Sequence, residues 1–380
     1  MMETPVAPLP TLRRSPRLYS PGLYIRCALC TLFCAAMFAM FGLKPAPVDN
    51  EVFNLYAGAK VGPQKLYDPE SYREVAASLG AKVIEARLYY CRMPYFEVLT
   101  KPLSWLPYSA AVVVWRFVQI LAMAAAVFLW PGGKPTMALV ALVSLPAVWV
   151  VTAGQDVPLV FLAVAASAAL ARGGRDFLAG IAFSFCLAKP HLAIFVPVVM
   201  LALGNFRLLA GAAAGASGQI LLSFAVAPWS WPRQWLAILS NPRMHPHVNA
   251  MPGLRAMVQT GPGMALAVLI VASLTIAIWQ LARRLPIEQA IAYALAAGII
   301  ANLHSYAVDC ILLIPAIAFS LRSRRVSERA VAFCLAAPVP YLALIMGAPV
   351  LLQTGTLASV YLAWAPWTAG RKPVSDPGTS

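Results

Sequence analysis

The sequence predicts an all-α polytopic membrane protein, from its composition, the length of its apolar blocks and the placement of its basic residues. Of 380 residues, 61% are hydrophobic and only 11% charged, and the mean hydropathy is +0.73. Soluble domains sit near half apolar and a quarter charged. Here the apolar residues come in blocks long enough to cross a hydrocarbon core of about 30 Å. The net charge of +15 would suit a nucleic-acid partner if it were clustered. It is dispersed instead among short loops between apolar blocks, which is a topology signal, so no nucleic-acid partner is expected.

Twelve spans are expected, at about 23–43, 107–130, 136–153, 156–171, 177–189, 190–204, 208–228, 263–282, 286–303, 305–321, 329–347 and 349–367. The first follows Arg13, Arg14 and Arg17, is long, and lacks a small-x-small cleavage site, so it reads as an uncleaved anchor rather than a signal peptide. The fifth and sixth are short for a crossing, which suits tilted or re-entrant segments shielded by protein. With the amino terminus in the cytoplasm, the short cytoplasmic loops hold Lys134, Arg172, Arg175, Arg207, Arg283, Arg284, Arg322, Arg324, Arg325 and Arg329. The short outer loops hold only Lys189. Fusing spans five and six would put Arg283, Arg284 and the Arg322–Arg329 cluster outside, against the positive-inside rule. The charge pattern therefore favours twelve spans with both termini cytoplasmic, in a bacterial inner membrane. The expected organisation is a tail over 1–22, one transmembrane domain over 23–367, and a disordered tail over 368–380.

The seven cysteines imply no disulfide framework. Cys27, Cys30, Cys34, Cys186, Cys310 and Cys334 fall in or beside apolar spans, and Cys91, in a long loop, has no partner near it in sequence. Two outer loops are long, about 44–106 and 228–262, and loops of that length between short connections are usually functional. In the first, Asp68-Pro69-Glu70 is a helix start, with Asp at the N-cap and Pro at the first helical position. Tyr72, Val75 and Leu79 then share one face, as in a helix lying along the membrane surface.

With this topology the residues able to do chemistry gather on the outer side. All four histidines, His191, His245, His247 and His304, fall there, with Asp49, Gln155, Asp156, Lys189, Arg243, Arg255 and Asp309. Asp49, a few residues after the first span, suits either an N-cap of the next helix or a general base for an incoming hydroxyl. Lys189 interrupts a long apolar run, as a snorkelling lysine would, or a cation meeting a phosphate. Asp309 lies inside an apolar run and needs a partner. His245-x-His247 resembles half a zinc site, but no third ligand is near in sequence, so no metal is expected. The chain has no phosphate-cradling glycine loop and no Gly-x-Ser-x-Gly or His-Glu-x-x-His motif.

The run Asp49-Asn50-Glu51-Val52-Phe53, with Tyr56-Ala57-Gly58 and Leu66-Tyr67-Asp68, resembles the first outer loop of glycosyltransferase family 87. These are membrane mannosyltransferases dependent on polyprenyl-phosphate sugars, and their relatives. The resemblance continues through Pro94-Tyr95-Phe96, Lys101-Pro102-Leu103-Ser104-Trp105-Leu106-Pro107 and Trp115. Gly154-Gln155-Asp156 is similar to the family's Gly-Gln-Asn element, and Lys189-Pro190 to its Lys-Pro element. Asn302-Leu303-His304 with Asp309 is similar to its Ser-Pro-His…Asp segment, with Asn302-Leu303 in place of Ser-Pro. Arg92-Met93-Pro94 departs from a Tyr-Pro-Pro element.

The resemblance implies the membrane-embedded GT-C fold, with a large first outer loop carrying surface helices, and it implies Asp49 as catalytic base. The expected reaction transfers a hexose, mannose first, from a polyprenyl-phosphate sugar to a hydroxyl of a lipid or glycan acceptor on the extracytoplasmic face. Lys189, His304 and Arg255 are the expected contacts of the donor phosphate. Gln155, Asp156, His191, His247 and Asp309 are the expected substrate-binding residues. A lipid monophosphate leaving group needs less charge neutralisation than a nucleotide diphosphate, so no metal or other cofactor is called for. A transporter or flippase would use the same intramembrane charges, but the sequence shows no internal repeat of the kind many carriers carry.

Overall fold

The computed structural model describes residues 50–132, 134–241, 248–259 and 261–365, with scattered positions between 25 and 39. Asp49, Arg243, His245, His247 and both predicted tails lie outside the described residues, as does most of the first predicted span. Among the described residues the structure is helical, with no strand.

Most helices fall within the predicted apolar blocks, although the spans predicted at 136–153 and 329–347 are each two helices. The first long loop holds α1 (Glu51–Val61), α2 (Pro69–Ser78) and α3 (Pro94–Thr100). Then come α4 (Tyr108–Leu129), α5 (Lys134–Val143), α6 (Leu145–Ala153), α7 (Val157–Arg172) and α8 (Asp176–Ser184). They are followed by α9 (Val196–Ala202), α10 (Phe206–Val226), α11 (Trp231–Leu239), α12 (Gly261–Ala282) and α13 (Ile287–Ala301). The last are α14 (Ile314–Leu321), α15 (Val326–Ala336), α16 (Val339–Ile345) and α17 (Val350–Trp364).

Three of these, α4, α10 and α12, are each long and apolar enough to cross a membrane alone. The pairs α5–α6 and α15–α16 would each cross as a bent unit, with bends of 63° and 50°. Pro146, Pro338 and Pro340 stand at these breaks, where a proline ring removes an N–H donor and clashes with the preceding turn. The fifth and sixth predicted segments are shorter as helices than as apolar runs. Their facing ends, Phe185–Ala188 and Pro190–Ala193, wind as 3-10 turns on either side of Lys189.

Burial sorts the helices into a centre and a rim. In α13 every residue from 290 to 301 is buried, and this alanine-rich helix packs against α7, α9, α12, α14 and α17. On the rim, α10 and α12 turn large apolar side chains outward, Leu221 at 68% exposure and Leu269 at 66%. Such continuous apolar faces are too large for a water-facing surface and suit hydrocarbon. The chain is a membrane protein.

The first long loop is folded against this bundle. α2 starts as predicted: the Asp68 carboxylate accepts hydrogen bonds from the Glu70 and Ser71 N–H groups and, at 2.7 Å, from the Ser71 hydroxyl, with Pro69 next in sequence. Its apolar face, however, meets protein. Tyr72 is wholly buried, and Val75 and Leu79 pack on the core, so this face does not rest on a membrane surface. The second long loop also contains a helix the sequence reading lacked. α11 buries Trp231 and Ile238 and leaves Leu236 exposed.

The Asp68 cap can be tested directly. Asp68→Ala is expected to cost about 0.5–2 kcal/mol of stability, read as a lower melting temperature in detergent. The Ser71 hydroxyl bond is the main cause that lowers the Asp68 pKa. The cap's contribution is therefore complete above the ordinary carboxylate range and is lost as pH falls through the lowered folded value.

Candidate active site

The starts of α1 and α7, the loop before α3, the turn at Lys189 and the 3-10 turn Ala307–Leu313 meet in a buried chain of charges. Helix α1 starts at Asn50, whose side chain accepts a hydrogen bond from the Phe53 N–H. The N-cap is thus Asn50, and the capping role weighed for Asp49 is already filled. On the first turns of α1, Glu51 and Asn54 stand one helical step apart on one face. Both meet Arg92, which is 2% exposed. Its Nη2 lies 2.9 Å from Glu51 Oε1, its Nη1 donates to Asn54 Oδ1 at 3.2 Å, and its Nε pairs with Asp156 Oδ2 at 2.5 Å.

The Arg92 backbone is held as firmly as its side chain. Its carbonyl accepts from the Tyr67 hydroxyl at 2.8 Å, and the Cys91 carbonyl accepts from Trp235 Nε1 on α11 at 2.9 Å. Burial opposes the charge of the guanidinium, but the Asp156 and Glu51 carboxylates outweigh it. The Arg92 pKa stands above its usual value.

Asp156 is presented by a turn that only glycine suits. Gly154 ends α6 at φ 74° in the left-handed region, where L side chains are strained. A Cβ there would also collide with Val52 of α1. Trp115 on α4 donates its indole N–H to the Gly154 carbonyl at 2.8 Å, and Gln119 donates to the Val150 and Gln155 carbonyls. The turn after α6 is therefore fixed from two sides.

From Asp156 the chain of charges continues to Lys189. Pro190 disfavours helical backbone at the residue before it, and Lys189 sits at φ −144°, ψ 71° between the two 3-10 turns. Its Nζ donates to Gln155 Oε1 at 2.8 Å and lies 3.3 Å from Asp309 Oδ1 and 3.4 Å from Asp156 Oδ1. The lysine side chain is only 14% exposed and is paired, so it does not snorkel. Asp309 has the partner its position called for, and its Oδ2 also accepts from the Tyr306 N–H at 2.7 Å. Among the described residues, Glu51, Asp156 and Asp309 thus face Arg92 and Lys189.

The histidines adjoin this chain. The His191 and His304 rings stand edge to face with centroids 5.7 Å apart, and His304 meets the Tyr306 ring at 5.3 Å. Asn302 Oδ1 accepts from the His304 N–H at 3.0 Å, while the Asn302 carbonyl accepts from Leu254 N. Gly253 lets these backbones touch, since a Cβ there would run into the Asn302 carbonyl. This contact brings Arg255 beside Leu303, whose carbonyl accepts from its guanidinium at 3.5 Å. Among the described residues Arg255 forms no ion pair.

The structure therefore brings together Gln155, Asp156, Lys189, His191, Arg255, His304 and Asp309, all named from sequence. Asp49 and His247 lie outside the described residues. Two buried basic residues were missed. Arg92 stood in the sequence only as a departure from a motif, although an arginine between Tyr90 and Tyr95 was a signal. Arg116, 3% exposed within the apolar helix α4, was a second, because an intramembrane charge is a functional candidate by default. Among the described residues no three His, Cys, Asp or Glu side chains are grouped as metal ligands.

A helical membrane protein whose buried charges converge at helix starts and turns carries a functional site there. Residues 93–305, more than half of the chain, match the model of glycosyltransferase family 87, and the chain belongs to that family. It is a glycosyltransferase of the membrane. The match includes Asp156, Lys189, Arg255 and His304, while Glu51, Arg92 and Asp309 lie outside it. No curated protein and no solved structure matches the chain.

Proposed function

We infer that the protein transfers a hexose, with mannose the expected sugar, from a polyprenyl-phosphate donor to an acceptor hydroxyl. The transfer takes place on the extracytoplasmic face of a bacterial inner membrane, with twelve spans and both termini in the cytoplasm. The observation that carries this reading is the continuous contact from Glu51 through Arg92 and Asp156 to Lys189, in a chain of this family. It ties the start of α1, which directly follows Asp49, to the residues suited to a donor phosphate.

In this reading Asp49 takes the proton of the acceptor hydroxyl. The oxygen attacks the anomeric carbon from the face opposite the lipid phosphate, the carbon–oxygen bond to that phosphate breaks, and the configuration inverts. The electron pair leaves with the phosphate, whose growing charge needs preorganised cations. Arg255 supports this role best, because its charge is not already paired among the described residues. His304 lies beside it. Lys189 shares its charge with Asp156 and Asp309, so it would reach the phosphate only as part of that cluster. Gln155, His191, His247 and Asp309 are left to orient the sugar and the acceptor. A monophosphate leaving group requires no divalent metal.

The test is transfer of radiolabelled sugar from polyprenyl-phosphate mannose by membranes holding the protein or its Asp49→Asn variant at matched expression. Loss of about 10²–10⁴-fold in rate is expected of a missing general base. Equal transfer by both proteins would remove Asp49 from the mechanism. Transfer by neither, with activity on another lipid-linked sugar, would overturn the donor assignment.

A further inference from the structure

Helix α13, whose end leads into the His304 side of the site, borders a second polar cleft at its start. Gln289 and Asn302 are thirteen residues apart on and just after α13, which sets the two regions about 20 Å apart. The cleft, of about 440 Å³, opens between the starts of α13 and α15 and the ends of α14 and α17. That volume is in the range of small-ligand pockets.

Its polar lining consists mainly of donors. Arg322 is exposed and forms no ion pair among the described residues. Arg325 is half-buried, held by Glu328 at 3.4 Å and by the Leu362 carbonyl at 3.3 Å, so part of its charge is spent internally. The Ser323 hydroxyl accepts from the Arg325 N–H at 3.2 Å and keeps its own proton to donate. The side-chain amide of Gln289 has no hydrogen-bond partner among the described residues. Glu328 is the one acid lining the cleft, and the segment from Arg322 to Arg329 carries four arginines against it. Leu285 and Phe319 supply an apolar wall beside these donors.

An oxyanion with an attached apolar portion fits this lining, since guanidinium and hydroxyl donors favour phosphate oxygens. We propose that the cleft binds the phosphate of an anionic membrane lipid, with Arg322, Ser323 and Gln289 on the phosphate oxygens. The lipid source follows from placement. The cleft lies between apolar helix ends, where basic pockets meet anionic headgroups, and Phe319 and Leu285 stand where the glycerol and first acyl carbons would lie. This site is separate from the transfer chemistry and does not depend on it.

The purified full-length protein in detergent would be titrated with phosphatidylglycerol or phosphatidylcholine and bound lipid counted by native mass spectrometry. Phosphatidylglycerol is expected to bind more tightly, and Arg322→Gln to weaken it roughly tenfold or more, as loss of a charge-assisted bond would. Gln289→Leu is expected to weaken it less. Arg207→Gln removes the same charge from an exposed position outside the cleft and is expected to leave binding unchanged. Equal binding of both lipids, or equal losses in Arg322→Gln and Arg207→Gln, would overturn the site. Displacement of bound lipid by glycerol phosphate at matching concentration would overturn the lipid source in favour of a soluble phosphate ester.

Discussion

An Arg92→Ala variant is expected to lose about 3–5 kcal/mol of folding stability, the usual cost of removing one member of a buried ion pair. The whole stability of a domain is about 5–15 kcal/mol, so little folded protein should accumulate in membranes. The effect is large because three side chains lose a contact together. Glu51, Asn54 and Asp156 all meet this one guanidinium, and two carboxylates would stay buried without it. Lysine does not replace it, because one ammonium cannot present separate donors to three acceptors in a fork. Arg92→Lys should therefore fall between wild type and alanine. Melting temperatures in detergent, with folded yield by size-exclusion chromatography, would measure all three. Wild-type stability of Arg92→Ala would show that the clamp contributes nothing. The second-site change Asp156→Asn should return part of what Arg92→Met loses, because it removes one of the uncompensated charges.

Lys189→Met should reduce transfer by roughly 10²–10³-fold, the size of effect seen when one preorganised donor to a developing negative charge is removed. It should also lower stability, but less than Arg92→Ala. Asp156 would keep Arg92, and only Asp309 would lose its sole cation among the described residues, while retaining the Tyr306 N–H. The double variant Lys189→Met with Asp309→Asn separates structure from chemistry. Removing both charges should restore stability, since a buried pair can be replaced by neutral groups at little cost. If transfer stays low while the melting temperature recovers, Lys189 acts on the donor. If transfer recovers as well, its role is to hold the turn at Pro190, and Arg255 and His304 carry the phosphate. The measurement pairs single-turnover transfer with melting temperature on the same preparations.

Much of the site was legible because its residues break a pattern. Lys189 and Asp309 stood out as charges in apolar runs, and both prove to be buried and joined to each other. Gly154-Gln155-Asp156 was legible as a motif, though its reason was not. The left-handed glycine and the Trp115 bond that fix the turn exist only once α4 and α6 are packed together. Arg92 was read as a poor copy of another element because its value lies wholly in its partners. These sit 41 and 64 residues away in sequence, beyond the reach of any local periodicity. The helix α11 was missed for a similar reason. Its tryptophans read as loop residues until Trp235 is seen to bond the Cys91 carbonyl.

By itself the sequence determined that this chain lives in a membrane, that its apolar blocks are helical, how α2 begins, and the family to which it belongs. Those properties follow from local physics: apolar length against bilayer thickness, proline against helix, and cap residues against free N–H groups. Only the tertiary structure decided that Lys189 is a shared rather than a free cation and that Arg92 ties the first long loop to the bundle. Each of these depends on which distant side chain shares a desolvated space. In such a space an unpaired charge is too costly to persist, so its partner defines its role.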